Sequence, residues 1–249
     1  MTESPFVDSA GVPWQGRSFE ENPWANDDGK TPESIANALS ATPFVKRDFI
    51  ESLRGQRLLV PLIAEIGEAG IGPHGQVVDK SADLAIVAVA TPDNKTAIPA
   101  FTSVKDMAAW QSDARPVPVP IAKLCLAAVG EGHQRVIVNP ATHARALRKT
   151  ELAALAQGLE ITDAVSGPEV AQIVANAVGL VKDIVMAGVS AGDPEARLIG
   201  EEIIIEVGMR PGLNGEDLEA ALTEFVGQLR TENLDLLVDS FKLKIVAVT

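Results

Sequence analysis

The apolar positions change texture near Gly158. Before it they come mainly as short runs of strand length. Leu58–Ile66 is rich in branched residues and reads as a strand. Asp83–Ala90 is a continuous apolar run and reads as a central strand covered on both faces. Pro92-Asp93-Asn94-Lys95 is a turn sequence, so the next strand, Thr96–Phe101, closes a hairpin with it. Arg135–Val138 is a further strand, closed by Asn139-Pro140. Short helices fall between them: Asp48–Arg54, ended by Gly55; one begun by Ser103, with Asp106 three residues on; Ile121–Ala128; and Thr150–Gln157, ended by Gly158.

After Gly158 the period lengthens. Val170, Ile173, Val174, Ala177, Val181, Ile184 and Val185 keep helical spacing. Ser166-Gly167-Pro168-Glu169 stands in front of them as a capping box with proline in the first turn. Gly188–Pro194 ends that helix, and Leu198–Val207 is a strand. Asn214 caps a helix that carries Glu216 and Asp217 in its first turn and Leu218, Leu222, Phe225, Val226 and Leu229 on one side. Leu236–Val248 supplies one or two final strands. The expected fold is α/β (α+β), with two mixed sheet-and-helix domains at 42–158 and 159–249. Residues 1–41 read as a low-order leader that packs on the body, with four prolines and a turn cluster, Asn26-Asp27-Asp28-Gly29. Its two tryptophans, Trp14 and Trp24, either bury their indoles against the body or form a partner-binding arm.

Composition narrows the function classes. The 249 residues are 46% hydrophobic and 22% charged, which fits a packed chain, and the net charge is −13. That charge, with no basic run longer than two residues, argues against nucleic acid and anionic membrane surfaces as partners. The one cysteine, Cys125, lies in apolar sequence and reads as a buried thiol, with no disulfide. No signal sequence or membrane-length apolar run is visible, so a cytoplasmic location is expected.

Several sequences imitate catalytic motifs. Gly70-Ile71-Gly72-Pro73-His74-Gly75 is a literal G-x-G-x-x-G, but a strand follows where a phosphate-binding helix is needed. Gly188-Val189-Ser190-Ala191-Gly192 is a literal G-x-S-x-G that runs helix, turn, strand, the reverse of a nucleophile elbow. All three histidines precede Ser190, whereas the hydrolase order needs one after it. One Cys and three scattered His give no close ligand pair for a metal. Glu201-Glu202 and Asp79/Asp83 are carboxylate pairs without a partner in sight. No catalytic residue, cofactor or metal is assigned.

One ordered set of motifs remains: Arg57-Leu58-Leu59-Val60-Pro61-Leu62, the apolar strand 84–90, Ala97-Ile98-Pro99-Ala100-Phe101-Thr102-Ser103, Trp110, Pro116-Val117-Pro118-Val119-Pro120 and Val136-Ile137-Val138-Asn139-Pro140. Over residues 42–157 this resembles the SseB-like N-terminal domain, a family named for enhanced serine sensitivity and also labelled type III secretion SseB-like. The leader is similar to actinobacterial members. The resemblance implies an α/β or α+β domain and brings no agreed catalytic residues. A non-enzymatic protein-interaction or regulatory module is therefore expected, with self-association or a protein partner. Phe101, Trp110, Pro116, Pro118 and Pro120, with Trp14 and Trp24, are the candidate binding residues. Two alternatives stand beside it. One is a small-molecule sensor of amino acids or metabolites, with a pocket between the halves lined by Gly67–Gly75. The other is a hydrolase or transferase using Asp79, Asp83 and His133. Dimerisation is expected through the edge strand holding Pro99 or through Leu236–Val248.

Overall fold

A computed structural model describes residues 24–248 apart from 65–69, 72–76 and 79–83. Trp14, Asp79 and Asp83 lie outside the described residues.

Two helices come first, α1 (Glu33–Ser40) and α2 (Lys46–Ser52), and both turn an apolar side inward through Ile35, Phe49 and Ile50. Strand β1 (Arg57–Ala64) follows, then two short paired strands, β2 (Gly70–Ile71) and β3 (Val77–Val78). The expected central strand 83–90 is instead two pieces, β4 (Leu84–Ile86) and β5 (Val89–Ala90). They sit at the edges of different sheets, and the chain crosses between sheets at Val87–Ala88. The hairpin is present: β5 pairs antiparallel with β6 (Thr96–Ala100), and Asn94 takes the left-handed conformation its turn needs.

Ser103 accepts the Asp106 N–H and so starts α3 (Val104–Trp110) as its capping pattern predicts. The proline ladder is a strand, β7 (Arg115–Pro120), paired antiparallel with β1. Helix α4 (Ile121–Gly130), strand β8 (Arg135–Val138), strand β9 (Arg145–Leu147) and helix α5 (Lys149–Gln157) complete this half, with Gly158 at φ 69° closing α5. The sheets run β4-β1-β7 and β5-β6-β8-β9. They are stitched by Leu59 and Phe101, whose backbones exchange both hydrogen bonds at 2.8 Å.

That exchange explains the prolines. Leu59 directs its N–H and C=O to Phe101, so its pairing with Pro118 is not hydrogen-bonded. Pro116, Pro118 and Pro120 therefore set their nitrogens on the free edge of β7, where no donor is missed. Pro99 lies in β6, which is interior and not an edge as expected; it sits past the end of the β5 ladder, with only β8 beside it.

The second half corrects four expectations. Helix α6 (Pro168–Leu180) starts after Gly167 without a Ser166 cap; Asp163 Oδ1 takes the Val165 and Ser166 N–H groups instead. Ile184 and Val185 belong to strand β10 (Ile184–Ala191), after a turn at Lys182-Asp183. Gly188 and Ser190 are thus strand residues. Gly192 is glycine because a Cβ there would stand 2.2 Å from the Glu201 carbonyl oxygen. Strand β11 (Ile203–Met209) begins later than Leu198. Asn214 caps α7 (Gly215–Thr231) through the Asp217 N–H at 2.9 Å. The last segment is a short helix, α8 (Leu234–Leu237), and one strand, β12 (Phe241–Val246). Sheet β10-β11-β12 pairs antiparallel then parallel, and α6 and α7 pack on it.

The fold is mixed α/β. One apolar cluster gathers residues from Ile35 to Ile161 and another those from Ala164 to Val238. Leu198, from the second half, packs with Ala97, Ile137 and Ala146 on the first half's sheet. That sheet is therefore covered on both faces.

Replacing Pro116 and Pro118 together by threonine restores two donors on the outer edge of β7. Light scattering should then find larger species than the parent forms; an unchanged mass would remove this reading of the prolines.

Candidate functional site

The opening candidates spread out. Phe101 is fully buried against Leu59 and Met107, its ring 5.5 Å from the Trp110 ring. It offers no surface to a partner. Trp110 is half-buried, Pro116 is exposed, and Pro118 and Pro120 are half-buried. Trp24 is half-buried in a turn. Thr102 and Ser103 belong to a polar brace: Asp106 accepts from both hydroxyls and from Thr142, while Asn139 Oδ1 accepts the Thr102 N–H. This brace holds the corner after β6, an architectural role.

The strongest concentration of buried charge lies where the two halves meet. Asp239 has a side chain with no exposure, gripped by Arg135 through both terminal nitrogens at 2.8 and 2.6 Å and by Arg148 at 3.2 Å. Arg135 also holds Asp93 and the Gln134 carbonyl, so all five of its N–H groups are used. Arg148 reaches Asp193 at 2.7 Å, the Gly200 carbonyl and Ser240 Oγ. Asp193 caps its own turn through the Arg197 and Leu198 N–H groups. That turn carries Ala196 and Leu198 at positive φ.

Beside this network Lys46 joins two buried carboxylates, Glu151 and Glu202. Glu151 also accepts the Arg148 N–H, and Glu202 the Asp239 N–H, each at 2.7 Å. Burial pushes the Glu151 carboxyl above its ordinary value, against the pull of Lys46. Burial works to lower the Lys46 ammonium, but the two carboxylates outweigh it and hold it above its ordinary value. In all, five carboxylates (Asp93, Glu151, Asp193, Glu202 and Asp239) face three cations.

A cleft of about 310 Å³ opens over the Lys46 triad. Phe44, Val45, Ile50, Ile161, Val165 and Pro194 form apolar walls, and Lys46, Glu151, Asp193 and Glu202 supply charge. Both halves contribute. Such a chamber, mostly apolar with a few converging polar groups, can hold a small molecule and orient its polar end. Its lining differs from the expected Gly67–Gly75 loop, which lies outside the described residues apart from Gly70–Ile71.

None of the charged residues here was a candidate in the sequence apart from Glu202, noted only as half of a carboxylate pair. The available signal was charge set against apolar strands: Arg135 opens β8, Arg145 opens β9 and Arg148 follows β9. His133 meets Thr96 Oγ1 at 3.0 Å, and its expected partners Asp79 and Asp83 are outside the described residues. Among the described residues no group of three or more His, Cys, Asp or Glu side chains is placed to hold a metal ion. No described helix is long and apolar enough to cross a membrane.

The family model described as the SseB protein N-terminal domain matches residues 33–154. No curated protein and no solved structure matches the chain.

Two outcomes test the buried network. Asp239→Asn leaves two buried guanidiniums short of charge, so urea denaturation should show a loss of about 3–5 kcal/mol; a loss near zero would mean that the network is dispensable. Burial pushes the Cys125 thiol up to about 12, so it is neutral at pH 8. A thiol reagent should label it only after unfolding, and fast labelling of the native protein would contradict its burial.

Proposed function

The chain belongs to the SseB-like family through residues 33–154, and from that premise we propose that it is a small-molecule binding module whose ligand sits in the cleft over Lys46, Glu151 and Glu202. One observation carries this reading: a cleft of about 310 Å³ with apolar walls from both halves and a buried ion triad at its base. The triad suits a sensing role. Lys46 is the more exposed member, with a side chain 22% exposed, while the two carboxylates are 5% exposed. A ligand that engages this cation alters the charge balance of groups hydrogen-bonded to Arg148 and Asp239, and thus the packing of one half on the other. Carboxylates and a lysine could also serve proton transfer, but the apolar walls around them and their mutual pairing favour binding over catalysis. The protein-contact reading loses Phe101, which contributes no surface; among the described residues Trp110, Trp24 and the proline edge remain for it.

A thermal-shift screen of amino acids, nucleotides and other small metabolites tests the proposal. A ligand at about 100 times its Kd adds about 2.7 kcal/mol, or about 5–10 °C in a chain of this size. Val165 lines the cleft and is exposed, so Val165→Trp should fill it and abolish the shift while leaving the unliganded melting temperature nearly unchanged. A shift that survives Val165→Trp, or a screen without any stabilising compound, would overturn the assignment.

A further inference from the structure

A second cavity, of about 350 Å³, shares no lining residue with the first. Its walls include Val89, Ile137, Pro140 and the half-buried Trp110, and two arginines reach it, Arg145 and Arg197. The two arginines differ from those of the junction. Arg135 uses every donor it has. Arg145 has a side chain only 8% exposed, yet it makes one ion pair, to Glu195 at 3.1 Å, and a long bond to the neighbouring Ala144 carbonyl at 3.3 Å. Its guanidinium lies over the Phe44 ring at 4.1 Å. Its Nε is buried without a partner, alone in this among the side-chain nitrogens and oxygens of the described residues. A buried donor left unpaired is costly, and a buried cation more so.

The compensating charge is also thin. Glu195 is half exposed and is shared with Arg197 at 3.9 Å. Two guanidiniums thus pair with one carboxylate, while Asp193, committed to Arg148, acts on Arg145 without an ion pair, in a chain whose net charge is −13. Burial lowers the Arg145 guanidinium from its ordinary value, and the nearby Arg197 adds to the effect. The site is short of negative charge, and an apolar wall with an indole stands beside that deficit. Guanidiniums recognise planar or tetrahedral oxyanions through paired N–H donors, and an indole face accepts a flat apolar body.

We propose that this cavity binds a small organic oxyanion, a carboxylate or phosphate ester on a flat apolar body, with the anion between Arg145 and Arg197 and the body against Trp110. The site is separate from the junction cleft, and the ligand is defined by its charge and shape.

The test titrates the full chain with benzoate, phenyl phosphate, inorganic phosphate and the neutral isostere benzamide, following the Trp110 indole and arginine Nε–H signals by NMR. Benzoate or phenyl phosphate should move both sets of signals saturably, and the tighter of the two identifies the anion as carboxylate or phosphate. Arg197 is exposed, so Arg197→Gln should fold normally and weaken binding about tenfold. Arg145→Lys should weaken it further, provided its melting temperature stays near the parent value. The proposal fails if neither aryl anion gives a saturable change, if benzamide binds as tightly as benzoate, if inorganic phosphate binds as tightly as phenyl phosphate, or if Arg197→Gln leaves the affinity unaltered.

Discussion

The structure depends on a carboxylate held between two arginines. Asp239 stands on the segment between α8 and β12, while Arg135 and Arg148 stand on or beside the strands of the first half. Each of these ions loses several kcal/mol of hydration on burial, and attraction offsets that only where the remaining donors and acceptors are also satisfied. Here they are satisfied by Asp93, Asp193, Ser240 and two backbone carbonyls. An apolar pair could stabilise the interface as well, but it would tolerate sliding. The guanidinium fork tolerates little, so one arrangement of the C-terminal strand against the first half satisfies all the charges together.

How much of this could be read from sequence depends on the range of the physics involved. The capped starts of α3 and α7, the Asn94 turn, the end of α5 at Gly158 and the β5–β6 hairpin rest on neighbours in the chain, and all were legible. Residues 83–90 were not. Their uninterrupted apolar character describes burial but carries no trace of the crossing between two sheets. Ile184 and Val185 continued the helical period of α6 by coincidence, and the turn at Lys182-Asp183 outweighed it. β9 has three residues and begins with an arginine, too short for any periodicity. The buried charges were least legible of all. Asp239 lies 104 residues from Arg135 and 91 from Arg148, and a charge in a sequence looks solvated until its partner is known. In the stretch 97–120 the capping serine was legible because it answers to local geometry. The β7 prolines and Phe101, binding candidates in the sequence, answer instead to the exchange between Leu59 and Phe101, far apart in the chain.

One turn links the two cavities. Asp193 and Pro194 line the junction cleft, while Ala196 and Arg197 line the arginine-bearing cavity. Two residues of this turn, Ala196 and Leu198, hold left-handed backbone, which costs about 1–3 kcal/mol each. The cost is offset by the Asp193 carboxylate, which takes two backbone N–H groups and Arg148, and by burial of Leu198 on the first half's sheet. A turn so pinned resists gradual deformation. Its Asp193–Arg148 contact and the seat of Leu198 hold the same few residues, so a shift in one strains the other. The two cavities therefore meet at two places, this pinned turn and the Arg145 guanidinium, which lines one cavity and lies over the Phe44 ring of the other.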